Sequence, residues 1–174
     1  MQISLQSGGD KVSLPSNLYV VIHNVYSITK LYEAARISYG MGVKTFIISK
    51  AVGSAAQEGV PDVQKLALKL NRNMLYLADL NDVIDVLKPD YVYVFVRKDR
   101  ADQQFNPDEI AGYLIDGKKV VLVFGGAEPG LTRKEIEKGI PIYIDGADDV
   151  GSLGQISISL YEISKALKQK TSDN

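Results

Sequence analysis

Residues 119–132, KVVLVFGGAEPGLT, decide the class of fold. The apolar run that ends at Phe124 is typical of a β-strand covered on both faces. The loop Gly125–Gly130 follows it, and Thr132 and Glu135 then have the spacing of a capping box, which predicts a short helix. Taken alone, the loop is either a plain turn or a place where the backbone approaches a ligand closely.

The same order of strand and helix recurs along the rest of the chain. Buried strands are predicted at residues 18–22, 45–48, 74–77, 91–96, 119–124 and 140–144. Helices are predicted between them, including a brief helix capped by Asn81 and a final helix from about Ser152 to Lys168. This alternation predicts an α/β fold with a mostly parallel sheet and helices on both faces.

Composition excludes several kinds of chemistry. The 174 residues include no cysteine and one histidine, which rules out disulfides, thiolate metal sites and paired-histidine catalysis within one chain. A formal net charge of −1 gives no sign of non-specific nucleic-acid binding through overall charge. Any nucleic-acid contact must therefore come from a local basic patch.

Length predicts a single domain. Residues 18–170 are expected to form it, with residues 1–17 as a polar leader or extra strand and 171–174 as a tail. No apolar run reaches the roughly 20 residues that span a bilayer, and the N-terminus has no apolar core of a secretory signal. We expect a cytoplasmic protein that does not enter membranes.

Ligands of open α/β sheets bind at the carboxyl ends of the strands. The functional loops are thus expected after Ile22, Val96, Phe124 and Ile144. Arg97, Lys98 and Arg100 follow one of these strands, where they either contact phosphate or form a solvated turn balanced by nearby aspartates. His23 follows another, as a general base or as a structural histidine.

Three segments together resemble the SpoU branch of the SPOUT RNA methyltransferases. The family motif D-N-V-x-D-P-x-N-x-G-x-I-x-R resembles residues 23–36, HNVYSITKLYEAAR. The strand and loop motif L-G-x-E-x-x-G-L-[ST] resembles residues 122–132, LVFGGAEPGLT. The motif I-P-M-x-G-x-x-x-S-L-N-V resembles the stretch from Ile144 to Leu153. Their order and spacing agree over residues 18–169.

The chain departs from this family at three polar positions. The asparagine of the first motif is Lys30, the glutamate of the second is Ala127, and the asparagine of the third is Gly154. Arg36 keeps the arginine of the first motif, so it is the best-matched catalytic candidate.

The resemblance implies a fold, a cofactor and a reaction. The fold would be a SPOUT-type C-terminal trefoil knot in a homodimer, with Leu160, Tyr161 and Ile163 of the last helix at the interface. The cofactor would be S-adenosylmethionine, and the reaction ribose 2′-O-methylation of tRNA or rRNA without a metal.

The resemblance also implies roles for individual residues. Arg36 would act in catalysis with Asn24, as a fixed positive charge beside the reacting hydroxyl. Residues implied to bind the cofactor are Val96, Phe124, Gly125, Gly126, Gly130, Ile144, Ser152 and Leu153. Residues implied to bind RNA are Lys30, Arg97, Lys98 and Arg100.

Two other functions remain open from the sequence. The altered polar positions favour a non-catalytic SPOUT-fold protein that binds S-adenosylmethionine or RNA. An unrelated nucleotide-binding α/β protein or nuclease is the other alternative. A nuclease needs clustered carboxylates for metal ions, and Asp145, Asp148 and Asp149 are the only tight cluster, which a solvated loop explains better.

Overall fold

The computed structural model describes residues 13–173, so most of the predicted leader lies outside the described residues. Residues 13–17 of that leader form no strand, although Leu14 is buried in the core. Seven strands alternate with helices: β1 Leu18–Val25, β2 Thr45–Ala51, β3 Asn73–Leu77, β4 Tyr91–Phe95, β5 Gln103–Gln104, β6 Val120–Gly125 and β7 Ile140–Tyr143.

Six α-helices connect or follow the strands: α1 Ile28–Gly40, α2 Val60–Leu70, α3 Leu80–Leu87, α4 Pro107–Ile115, α5 Arg133–Ile136 and α6 Gly151–Ser172. A π-helical turn, Ala55–Gly59, precedes α2, and a 3-10 turn, Lys98–Arg100, follows β4. No helix of the described chain is long and apolar enough to cross a bilayer.

The seven strands form one parallel sheet in the order β3-β2-β1-β6-β4-β7-β5. The predicted class, an α/β fold with a parallel sheet, is therefore confirmed. The short edge strand β5 is absent from the prediction, because its two glutamines carry no apolar pattern. The trefoil knot stays a prediction.

Helices cover both faces of the sheet. On one face, α1, α2, α4 and α6 bury their apolar sides against the sheet, with Leu31, Val63, Ile110 and Ile156 among the buried residues. On the other face, α3 supplies Leu80, Val83 and Leu87, and α5 supplies Ile136. Burial of apolar surface on both sides explains why the central strands are almost continuously apolar.

Local capping fixes where the helices begin. Ser27 caps α1 by accepting a hydrogen bond from the Lys30 N–H at 3.1 Å. Helix α3 begins two residues earlier than predicted, because Asp79 rather than Asn81 is its cap and accepts from the Leu80 N–H at 2.7 Å. The predicted capping box of Thr132 and Glu135 is present at the start of α5.

Helix α6 packs against α4 and α1, and this packing changes the expectation for a dimer interface. Leu160 and Ile163 are fully buried within their own chain. Tyr161 is 57% exposed, so only this member of the expected interface set lies on the surface.

A glycine between α5 and β7 offers a test of how tightly the sheet packs there. A Cβ atom at Gly139 would lie 2.7 Å from the Val92 carbonyl oxygen. We expect Gly139→Ala to lower the free energy of unfolding by about 1–3 kcal/mol, since the backbone must move to make room. Urea unfolding measures the change.

Gly112→Ala is the matched control, since a Cβ atom at Gly112 within α4 would meet nothing within 4 Å. That variant should gain about 0.5–1 kcal/mol, because alanine has the better helix propensity. A loss of similar size in both variants would contradict the packing described for Gly139.

Candidate functional site

A small pocket lies at the carboxyl ends of β4 and β6, beside the first turn of α6. We call it the edge pocket, and its volume is about 90 Å³. Its lining residues are Lys30, Phe95, Val96, Arg97, Arg100, Gly125, Ala127, Glu128, Pro129, Gly130, Leu131, Asp148, Asp149, Gly151, Ser152 and Gln155. This is the edge of the sheet where ligands of such folds bind.

A more open groove lies beside the edge pocket. We call it the outer groove; Asn24, Tyr26, Arg100 and the loop 127–132 line its volume of about 700 Å³. Residues 127–131 and Arg100 line both spaces. We call residues 126–132 the strap, because this segment contributes to both walls.

Close contacts with β1 hold the first residue of the strap. The Gly126 N–H donates to the His23 carbonyl oxygen at 2.7 Å. A Cβ atom at Gly126 would lie 2.8 Å from Val25 Cβ and 2.9 Å from the Asn24 carbonyl oxygen. Only glycine therefore fits here without displacing β1. Gly130, nearer the other end, has φ of +100°, a conformation that favours glycine.

His23 also holds the far end of the strap through its side chain. The ring is fully buried; its Nε2 lies 2.9 Å from Glu135 Oε1 and its Nδ1 lies 2.7 Å from Ser49 Oγ. Glu135 Oε2 accepts from the Thr132 N–H at 2.7 Å. In the neutral tautomer that donates from Nε2, Nδ1 accepts from the Ser49 hydroxyl, so every partner is satisfied.

The arrangement Ser49–His23–Glu135 has the connectivity of a nucleophile, a base and an orienting acid. Ser49 is fully buried on β2, so a substrate cannot reach its hydroxyl in this structure. The hydrogen bonds therefore serve to position the strap, and the structural alternative for His23 is the one that the geometry supports.

Glu135 is held in its charged form by this surrounding. Burial raises the pKa of its carboxyl. The hydrogen bonds from Thr132 and the interaction with His23 together lower the pKa by more than burial raises it, so the pKa lies below the usual value.

Three basic side chains and three carboxylates, Glu128, Asp148 and Asp149, line the edge pocket. Lys30, Arg97 and Arg100 line it, and Arg97 Nε lies 3.9 Å from Asp148 Oδ2. Arg100 makes no ion pair with any residue between 13 and 173. Lys98 Nζ lies 5.6 Å from the ring centroid of Tyr143 instead of lining the pocket.

The residues expected to bind the cofactor divide into two groups. Val96, Gly125, Gly130 and Ser152 line the edge pocket. The others only support it or lie away from it. Phe124 is buried and stacks on Phe95 with ring centroids 4.6 Å apart, and Gly126 anchors the strap. Ile144 belongs to the main core and Leu153 packs against it.

Ser152 has an unusual environment among the lining residues. The residue is only 8% exposed, yet its Oγ has no hydrogen-bond partner in the described part of the chain. It stands in the first turn of α6, whose start has no side-chain cap. Buried polar groups are usually paired, so this hydroxyl is suited to a ligand.

The two residues expected to act in catalysis are not brought together in one space. Arg36 lies on α1, where its side chain is 62% exposed and its Nη2 lies 2.6 Å from Glu33 Oε2. It lines neither the edge pocket nor the outer groove. Asn24 lines the outer groove, where its Oδ1 is buried without a partner among residues 13–173.

Sequence reasoning missed several lining residues, and Tyr26 and Gln155 are two examples. Tyr26 lies in the outer groove and Gln155 in the edge pocket. Tyr26 directly follows β1, which runs three residues beyond its predicted end at Ile22, so the sequence prediction did not place it at the strand end. Gln155 depends on how α6 begins, which sequence patterns do not resolve to a residue. Within residues 13–173, no three histidine or carboxylate side chains come together as metal ligands.

The fold and the edge pocket define the class: an α/β protein whose parallel sheet presents a glycine-lined pocket with both basic and acidic side chains at the carboxyl ends of its strands. Within this class, the chain belongs to the family described as RecB-family nuclease (DUF2122), whose model matches residues 53–162.

Two relatives support this family assignment. A protein of Methanocaldococcus jannaschii, provisionally named type II restriction enzyme MjaORF1200P, is 37% identical over 86% of this chain and 98% of its own. Another of Aeropyrum pernix, provisionally named type II restriction enzyme ApeKORF2002P, is 36% identical over 85% of this chain and 93% of its own.

Several solved structures with a similar fold are named as methyltransferases. One from Bordetella pertussis Tohama I, provisionally named a methyltransferase, has a TM-score of 0.70 at 17% identity, covering 87% of this chain and 96% of its own. The SpoU methyltransferase AviRb from Streptomyces viridochromogenes, in complex with AdoMet, has a TM-score of 0.66 at 13% identity, covering 91% of this chain and 62% of its own. This likeness shows a common fold with the SpoU-type proteins.

The prediction of an RNA 2′-O-methyltransferase acting on tRNA or rRNA is therefore wrong, since the family model and both relatives name nucleases or restriction enzymes. The motif matches follow from the shared fold. At one of the three departing polar positions the structure gives a physical reason: a Cβ atom at Gly154 would lie 2.6 Å from Val150 Cβ, so an asparagine there would displace Val150.

The carboxylate of Glu135 leads to a pH-dependent prediction. Its pKa is lowered in the folded state, so its stabilisation is complete above the unfolded value of about 4.3 and is lost as pH falls through the lower folded value. Glu135→Gln should lower the free energy of unfolding by about 1–3 kcal/mol near neutral pH. The difference from the unmodified chain should shrink below about pH 4.

Urea unfolding over a pH series measures this difference. Glu137→Gln is the control, because Glu137 pairs with Arg133 in an exposed bridge and should change stability by less than about 1 kcal/mol at any pH. An equal, pH-independent effect of both substitutions would show that Glu135 does not anchor the strap electrostatically.

Proposed function

We propose that this protein is a nucleic-acid-acting enzyme that binds an adenosyl compound, S-adenosylmethionine or its demethylated product, in the edge pocket. The observation that carries the proposal is the buried, unpartnered Ser152 hydroxyl at the uncapped start of α6. Both groups of similar proteins support the nucleic-acid part, because one is named for nucleases and the other includes a tRNA-modifying enzyme.

The lining chemistry suits an adenosyl compound. Apolar side chains, including Phe95, Val96 and Leu131, provide contacts for an adenine ring. Gly125 and Gly130 let backbone groups approach it. The Ser152 hydroxyl and the first N–H groups of α6 are donors for ribose hydroxyls or a carboxylate, which the positive end of a helix favours.

The size of the edge pocket sets a further condition. Ligand pockets usually hold about 300–1,000 Å³, whereas this one holds about 90 Å³. The strap or the start of α6 must therefore move when a whole adenosyl compound binds. S-adenosylmethionine, when bound, supplies a sulfonium centre with a fixed positive charge.

Removing the Ser152 hydroxyl tests this proposal. Ser152→Ala should weaken binding of S-adenosylmethionine by about 5- to 10-fold, the effect of one lost hydrogen bond. Isothermal titration calorimetry measures the affinity. The free energy of unfolding should not fall, because the hydroxyl has no partner in the described chain.

Ser157→Ala is the matched control on the same helix. Its hydroxyl donates to the Leu153 carbonyl oxygen at 2.8 Å and lines neither space. Equal affinities in the two variants, or no binding by the unmodified chain at about millimolar ligand, would contradict the adenosyl site.

Hydrolysis of nucleic acid is the second candidate function, and the family assignment favours it. A water oxygen would bond to phosphorus while one P–O ester bond breaks and the leaving oxygen takes a proton. Glu128, Asp148 and Asp149 line the edge pocket and could accept the proton from water. Arg97 and Arg100 would stabilise the charged phosphate.

Cleavage assays test this second function. We expect the chain to cut single- or double-stranded DNA or RNA in assays run both with and without magnesium or manganese ions, and Asp149→Asn to lower the rate by about 100-fold or more. Asp85→Asn on α3 is a control at a carboxylate outside both spaces. Absence of cleavage with every substrate and ion would exclude hydrolysis.

A further inference from the structure

The outer groove has features that the adenosyl site does not use. Asn24 and Tyr26 line it, and they stand on the opposite side of the strap from Ser152. Its volume of about 700 Å³ falls within the range of ligand sites, unlike that of the edge pocket.

Tyr26 presents an aromatic surface to this groove. The residue is 51% exposed. The chain on either side of it is fixed, because Val25 is fully buried and its carbonyl oxygen accepts from the Val52 N–H at 2.9 Å, while Ser27 caps α1. A large exposed side chain on a rigid backbone gives a planar contact at a small entropic cost.

Asn24 is placed by a kink that two strands share. Asn24 has φ of +63° and Lys50, at the same level of the neighbouring strand, has φ of +59°. Its side-chain Oδ1 is buried and has no partner among the described residues. A side-chain amide carries both a donor and an acceptor, which match the edge of a nucleobase.

Arg100 lies where the two spaces meet. Its Nη1 would be 3.9 Å from a Cβ atom at Gly130, which places the guanidinium beside the strap. The described residues offer it no ion-pair partner, whereas Arg97 of the edge pocket lies 3.9 Å from Asp148 Oδ2. A guanidinium in this setting is suited to a phosphate. Glu128 also lines both spaces, so the outer groove has one basic and one acidic side chain in its lining.

We propose that the outer groove holds one nucleobase of single-stranded nucleic acid, stacked on Tyr26 with its edge towards Asn24 and its phosphate on Arg100. This inference rests on the proposed function, since it names the form of nucleic acid that the site takes. Stacking needs an unpaired base, so the groove should bind single strands and opened duplexes rather than intact duplex.

Binding of labelled single strands of about 12 nucleotides tests the proposal by fluorescence anisotropy. Tyr26→Ala should weaken binding by about 5- to 150-fold, the range for loss of one stacked base. Tyr26→Phe should bind within about 2-fold of the unmodified chain, because the ring remains. Tyr76→Ala, at a 47% exposed tyrosine on β3, is the matched control and should bind as the unmodified chain does.

A salt titration separates the phosphate contact from the stack. Arg100→Gln should reduce the slope of log affinity against log salt by about 0.7, the value for one phosphate of a single strand. Tyr26→Ala should leave that slope unchanged. A free mononucleotide should bind far more weakly than the oligonucleotide, which distinguishes a polymer site from a nucleotide site.

Calorimetry with S-adenosylmethionine separates this proposal from the previous one. Tyr26→Ala should leave the adenosyl affinity unchanged. Normal adenosyl binding with equal oligonucleotide affinity in Tyr26→Ala and Tyr76→Ala would overturn the groove assignment alone. Oligonucleotide binding that depends on Tyr26, without adenosyl binding, would support the nucleobase site in the outer groove and contradict the adenosyl site in the edge pocket. Equal binding of the mononucleotide and the oligonucleotide would also overturn the assignment.

Discussion

One buried histidine connects the sheet to the segment that shapes both binding spaces. His23 accepts from the Gly126 N–H through its carbonyl oxygen and reaches Glu135 through its ring, so it holds both ends of the strap. Ser49 on the next strand contacts the other ring nitrogen. Because the ring is fully buried, losing any partner would leave a polar group unpaired in the interior, which makes these contacts interdependent.

These hydrogen bonds of His23 explain why the strap can be glycine-rich and still have a fixed position. Glycine at 126 is needed because β1 leaves no room for a side chain. Glycine at 130 is needed because the chain turns there with positive φ. Glycine leaves the backbone freer than other residues do, and the hydrogen bonds at the two ends of the strap restrict it instead.

The strands and most helix starts could be predicted, because apolar runs and capping residues act locally. Thr132 with Glu135 and Asn106 with Pro107 mark helix starts by contacts within one turn. The position of Arg36 could not be predicted, because its direction depends on how α1 packs. The two-residue strand β5 carries no apolar pattern and depends on the pairing of Gln103 with Ile142.

The candidate site was predictable in part for the same reason. Val96, Gly125, Gly130 and Ser152 line the edge pocket because they stand at strand ends or at a helix start, which sequence patterns reveal. The function was not predictable from the same residues. Glycines and buried leucines at matching positions report what the backbone requires, and one fold supports unrelated chemistries.

The strand order has a consequence for how the chain reaches its native state. The central pair β1 and β6 joins Leu18 to Val120, and the Asn17 side chain bonds the Lys118 carbonyl oxygen 101 residues further along. A ribosome must therefore release most of the chain before the middle of the sheet can close. Until then β1, β2 and β3 can pair only among themselves. The backbone N–H and C=O groups on the β6 side of β1 stay unpaired and can bond to a strand of another chain. Contacts between residues so distant in sequence make folding slow. A chaperone that covers the unpaired side of β1 would protect the nascent chain from self-association.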